Sequence, residues 1–187
     1  MNAWCQRMLS AVATVIVLLG MAGCAGSEPA APVPASPATA TAAFGGTDLA
    51  WIEVTIAMDE QLLPLLDLVP QHGSDKAVSA LAAGLRTFTN TELSALRSLH
   101  DQAGLSAQNP HEGMPMPGMV TADEVAHAAT LSGTAFDKFV RQKITEGLRQ
   151  GKSLAESERK YGVEARTRAL ATDGGSTRTR MLSALPG

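Results

Sequence analysis

TADEVAHAATLSGTAFDKFVRQKITEGLRQ, residues 121–150, carries the pattern on which the fold turns. Thr121 and Glu124 have the spacing of a reciprocal capping box, in which each side chain serves the other's backbone N–H at a helix start. A short helix therefore runs to about Leu131. Gly133 interrupts it, and Phe136, Phe139, Val140, Ile144 and Leu148 then recur at intervals of three and four, the mark of a helix with one face on a core. Gly151 predicts a break. Ser153 and Glu156 form a second capping box, opening a helix to about Ala171. Asp173-Gly174-Gly175 interrupts again, leaving residues 177–185 as a last, frayed helix.

The same period extends upstream. Thr47 or Asp48 can cap a helix whose buried stripe is Leu49, Ile52, Ile56, Leu63 and Leu66. Pro64 costs it a hydrogen bond and predicts a kink, and Pro70 with Gly73 ends it. A second helix begins near Ser74 and buries Val78, Leu81, Leu85, Phe88, Leu96 and Leu99, with Glu92 on the same line. It stops near Gly104, and residues 105–120 form a loop. No segment reads as a strand. Four principal helices with short connections argue for an all-α four-helix bundle. With aromatics at 4% of 187 residues, the core must be built from Leu, Ala, Val and Ile.

The ends of the chain place it in the cell. Residues 1–23 have a short positive start at Arg7 and about fourteen apolar residues from Met8. That is too short for a comfortable membrane span, which needs about 20 residues, and it fits the apolar core of an export signal. Met21-Ala22-Gly23-Cys24 closes it and resembles a lipobox, the signature of bacterial lipoproteins. The resemblance implies cleavage before Cys24 and lipid on its thiol, so that Cys24 ties the protein to a membrane on its extracytoplasmic side. An ordinary signal peptide with a chance cysteine is the alternative. Residues 24–46 hold Pro, Ala, Ser, Thr and Gly with almost nothing to bury and read as a flexible tether. Residues 47–187 form the helical domain. Cys5 leaves with the signal, so the mature chain has no thiol for a disulfide, a thiolate site or a nucleophile. Loss of Arg7 takes the formal charge from −3 to −4, and no basic stripe points to nucleic acid.

Few residues suggest chemistry. His111, Met114, Met116 and Met119 crowd into one loop, and three of the mature chain's five methionines lie within six positions. Thioethers are soft ligands that suit Cu(I). Methionine also fills irregular gaps where a loop crosses a bundle, and the loop reads first as packing. His72, His100 and His127 are well separated and read as solvated. Residues 147–153 are one residue short of a phosphate-binding loop and lack its preceding strand. The mixed charges from Glu156 to Arg168, among them Glu158 and Glu164, read as a solvated helix face. Nothing supports an enzyme.

Met116-Pro117-Gly118-Met119-Val120-Thr121, then Leu131-Ser132-Gly133-Thr134-Ala135-Phe136-Asp137, together with Asp48-Leu49-Ala50-Trp51 and Ile56, resemble the bacterial family catalogued as domain of unknown function 305. The likeness covers about 48–185. It implies a ferritin-like bundle of two similar halves, export, a dimer as the assembly to expect, and in some members copper binding and tolerance. The family's hallmark is a His-His pair in each half, faced by Met and Gln. Here Met58-Asp59 stands where the first pair would, and no His falls within residues 146–149 for the second. Leu65 and Leu96 replace Met, Thr89 replaces Gln, and Glu92 remains. The resemblance thus implies the fold without the bundle-centred metal site. Asp59 lies on the inward stripe, and a buried carboxylate needs a partner or a raised pKa. Lys143 or Arg149 is the expected partner, unless Asp59 meets water at a bundle edge. The reading is a non-catalytic, lipid-anchored helical domain with a binding or envelope-interaction role. The alternative is a copper lipoprotein that uses the methionine loop.

Overall fold

A computed structural model describes residues 43–185. The export signal, Cys24 and most of the tether lie outside the described residues. Within them the chain forms five helices and no strand: α1 (Gly46–His72), α2 (Lys76–Ala103), α3 (Ala122–Ala129), α4 (Gly133–Tyr161) and α5 (Ala165–Ser183). Three-residue turns fold α1 against α2 and α4 against α5. These two hairpins join chiefly through α1 on α4, and the short α3 bridges them at one side. No helix among the described residues is long and apolar enough to cross a membrane.

Helix ends follow local chemistry. Asp75 accepts from the N–H groups of Ala77 and Val78 at the start of α2. Gly104 closes α2 at φ 66°, a conformation that glycine adopts without steric cost. The Thr121–Glu124 capping box forms as the sequence predicts. Helix α1 runs through Pro64 and Pro70, both on its exposed face, and ends at Gly73.

Two expected breaks are absent. Helix α4 continues through Gly151 to Tyr161, so Ser153 and Glu156 cap nothing. The chain turns instead at residues 162–164, and α5 runs unbroken through Asp173-Gly174-Gly175. A glycine inside a helix costs about 1 kcal/mol relative to alanine, too little to end a helix that packing holds on both sides. Gly151 and Gly174 are buried at close helix contacts, where a side chain would collide with its neighbours.

The core divides along the bundle. One apolar cluster joins the end of α1 (Leu65, Leu66, Val69) to the start of α2 (Val78, Leu85) and the first half of α4 (Phe136, Val140, Ile144). The other joins the start of α1 (Trp51, Ile52, Ile56) to the end of α2 (Leu93, Leu96, Leu99), with Ala155 and Ala171. Each such leucine or isoleucine contributes about 1.5–3 kcal/mol by leaving water. Asp59, Glu92 and Arg178 fall between the two clusters along α1, α2 and α5.

Candidate functional site

At that middle level three charged side chains meet, each at most 4% exposed. Arg178 points both guanidinium nitrogens at Glu92: Nη1 donates to Oε1 at 2.9 Å and Nη2 to Oε2 at 2.5 Å. This two-pronged geometry matches a planar cation to a planar carboxylate. Nη2 also lies 3.7 Å from Asp59 Oδ1, and the guanidinium carbon sits 5.0 Å from the centre of the Phe88 ring. Asp59 therefore faces inward as expected, but its partner is not the expected one. Lys143 is engaged by Glu124 at 2.6 Å and Glu146 at 2.9 Å, and Arg149 is exposed. Both point away from Asp59 because α4 turns their stripe toward α3 and solvent.

One cation cannot balance two buried carboxylates, and the remaining proton settles on Asp59. Burial, then the Glu92 charge, push the Asp59 carboxyl well above the usual carboxylate range. Protonated, Asp59 can donate to Glu92, and its Oδ2 has no other partner. Burial opposes the Arg178 charge, but Glu92 and then Asp59 hold that charge more firmly than water does. The trio is then neutral, which limits the cost of desolvating it.

The glycines missed as helix-internal residues are what admit Arg178. A Cβ on Gly151 of α4 would strike the Arg178 side chain, and one on Gly174 of α5 would meet Glu92 and Arg178. The space beside Met58, Asp59, Thr89 and Arg178 is about 20 Å³, room for one water and for no organic substrate. These residues do not fit a metal ion, because the guanidinium already supplies the positive charge between the carboxylates. Among the described residues no group of three or more His, Cys, Asp and Glu is placed to hold one.

Two further buried carboxylates tie the hairpins together. Asp137 of α4 accepts from Ser74 N at 3.1 Å, Asp75 N at 3.0 Å and Ser74 Oγ at 2.5 Å, fastening the α1–α2 turn. Asp48 of α1 does the same for the α4–α5 turn, accepting from Val163 N and Glu164 N at 3.1 Å each. It also accepts from Gly45 N at 2.7 Å. Each half thus caps the other half's turn.

Beside Asp48 lies Glu158, fully buried. Burial, then Asp48, push its carboxyl up to about 8. Burial also works to raise Asp48, but the Glu158 proton and the three N–H groups outweigh it and hold Asp48 below its ordinary value. Glu158 thus stays protonated up to about pH 8 beside the charged Asp48. Glu158 and Glu164 therefore do not belong to a solvated face. Glu164 caps α5 through Thr167 N at 2.6 Å.

The methionine loop divides. Met119 is buried and Met116 half-buried, and both pack toward Met58 of α1. Met119 Sδ accepts from Gln61 Nε2 at 3.5 Å. Met114 is 44% exposed. Asn109 pins the loop to α1 through the Glu53 carbonyl at 2.8 Å and accepts from His111 N. His111 Nδ1 is buried without a partner. Of the other histidines, His127 is exposed as expected, while His72 and His100 are partly buried. His72 stacks on Phe136 and its Nδ1 lies 2.8 Å from the Leu131 carbonyl. His127 meets the edge of Phe139, and His100 Nε2 lies 3.0 Å from the Ser106 carbonyl.

Comparison with known proteins agrees with this architecture. The model of the family described as domain of unknown function (DUF305) matches residues 48–185. A candidate secreted protein of that description from Streptomyces coelicolor shares the fold with a TM-score of 0.65 at 21% identity, over 74% of this chain and 89% of its own. A fragment of the same description from Deinococcus radiodurans does so with a TM-score of 0.69 at 13% identity, over 76% and 94%. No curated protein matches.

Proposed function

The chain belongs to the domain-of-unknown-function-305 family, and from that premise we propose that it is an exported, non-catalytic lipoprotein. Lipid on Cys24 holds it to the extracytoplasmic side of a membrane. Residues 24–46 carry the bundle away from the surface, and the bundle serves binding or envelope interaction. The observation that supports a non-metal role is Arg178, lodged between Asp59 and Glu92 where the family likeness would place a metal cluster. The anchor rests on the sequence at residues 21–24. Cys24→Ser should abolish fatty-acid labelling of the full chain and release it from the membrane fraction. Labelling that persists in the variant would contradict the anchor.

A second reading, copper handling by the loop, has one observation in its favour. Met116 and Met119 pack with Met58, so three thioethers share one locality. Cu(I) titration of the full chain against a chromogenic chelator tests it. Stoichiometric binding that is lost when Met114, Met116 and Met119 become leucine would establish a copper lipoprotein with a relocated site. No binding leaves the interaction role.

A further inference from the structure

The α4–α5 turn carries two large apolar side chains in the open, Tyr161 at 59% and Val163 at 65% exposed. Around them Arg159, Lys160, Arg166 and Arg168 are exposed as well. The Lys160 ammonium lies 4.8 Å from the centre of the Tyr161 ring. Arg168 Nε donates to the Arg159 carbonyl at 3.3 Å. These contacts place cations against the apolar tip without neutralising them. Arg166 meets Glu164 at 2.8 Å. The other acids nearby are occupied or set back. Asp48 is buried under three N–H groups. Glu156 is held by Lys152 at 2.6 Å, and Asp101 lies 3.5 Å from His100. A chain of formal charge −3 thus gathers cations around two exposed apolar side chains at one end of its bundle.

The tether enters the bundle at this same end. Phe44 packs on the cluster of Trp51, Ile52 and Ile56, and Gly45 donates its N–H to Asp48 at 2.7 Å. Gly45 lies so near the turn that a Cβ on it would come within 2.9 Å of Val163 Cγ2. Residues 24–42 therefore join the bundle beside the exposed tip, and even fully extended they reach at most about 65 Å. The opposite end of the bundle lies about 40 Å further off along α1. If Cys24 carries lipid, the reading on which the docking below rests, the α4–α5 end is the part of the bundle held nearest the membrane.

We propose that the α4–α5 end of the bundle docks on an anionic lipid surface. Tyr161 and Val163 enter the headgroup region, where an aromatic ring with a polar tip and a short apolar side chain both leave water. Arg159, Lys160 and Arg168 meet lipid phosphates, each strengthening association by about fivefold. The patch is small, so it adds to the lipid anchor instead of replacing it. What it supplies is orientation: the α1–α2 turn points away from the membrane.

The chain from residue 24 carrying Cys24→Ser has no lipid, so its binding to vesicles reads the bundle by itself. It should sediment with vesicles of equal parts phosphatidylglycerol and phosphatidylcholine at least about tenfold more tightly than with phosphatidylcholine alone. Added salt should weaken that binding. Arg159→Glu with Lys160→Glu should abolish the preference, and Tyr161→Ser with Val163→Ser should weaken binding several-fold. Lys76→Glu with Lys138→Glu, an equal charge change at exposed positions of the opposite end, should leave binding as it was. Fatty-acid labelling tests the anchor separately, so each reading can fail without the other. No preference for the anionic vesicles, or an equal loss in the opposite-end variant, would overturn the proposal.

Discussion

Arg178 decides more than any other residue. Its charge is matched by Glu92 and bordered by Asp59, so removing it strands a buried carboxylate. Arg178→Met should cost about 3–5 kcal/mol of stability in urea denaturation, the usual result of breaking a buried pair from one side. The glycines that admit it give a paired prediction. Gly84 lies mid-helix on the exposed face of α2 with open space around it, so Gly84→Ala should stabilise by about 0.5–1 kcal/mol. Gly151→Ala offers the same helical gain but drives a methyl group into the Arg178 side chain, and it should destabilise. Thermal melts of the two variants should move in opposite directions. At this scale the sequence is half legible. The stripes on α1 and α2 place Asp59 and Glu92 inward. Arg178 stays hidden, because it follows two glycines in a polar stretch whose helix exists only through packing.

Elements are held by crossed caps. Asp48 and Asp137 each serve a turn more than sixty residues away, and no local pattern announces such a contact. The fault in the sequence reading of α4 and α5 has the same origin. Ser153 and Glu156 have capping-box spacing, but a cap acts only where the backbone is free to start a helix, and Gly151 does not free it. Asp137→Ala should lose about 2 kcal/mol, since it removes part-buried bonds from two backbone N–H groups and a hydroxyl to a buried carboxylate. Asp48 and Glu158 set the pH response. Glu158 titrates near 4.5 when unfolded and near 8 when folded, so the folded state binds the extra proton between those values. Its contribution to stability is fully present below about 4.5, falls as pH rises, and is gone above about 8. Asp48 works oppositely. Its folded value lies below 3.8, so its contribution is present above 3.8 and is lost as pH falls through the folded value. Urea midpoints at pH 5, 7 and 9 should fall in that order, and Glu158→Gln should flatten the trend.

The molecule as a whole is two helical hairpins whose apolar contacts form an upper and a lower core with a charged layer between. The all-α bundle and its family were legible from periodicity and from residues 116–137. The layer was not, because it draws on α1, α2 and α5 together and on glycines in α4. Its meaning for the whole chain is that the bundle centre is closed by protein charges. Equilibrium unfolding of Arg178→Met beside the triple variant Asp59→Leu, Glu92→Leu, Arg178→Met tests that claim most directly. The account predicts a large loss in the single variant and recovery of most of it in the triple, where no buried charge is left alone. A single variant as stable as the parent chain would contradict it.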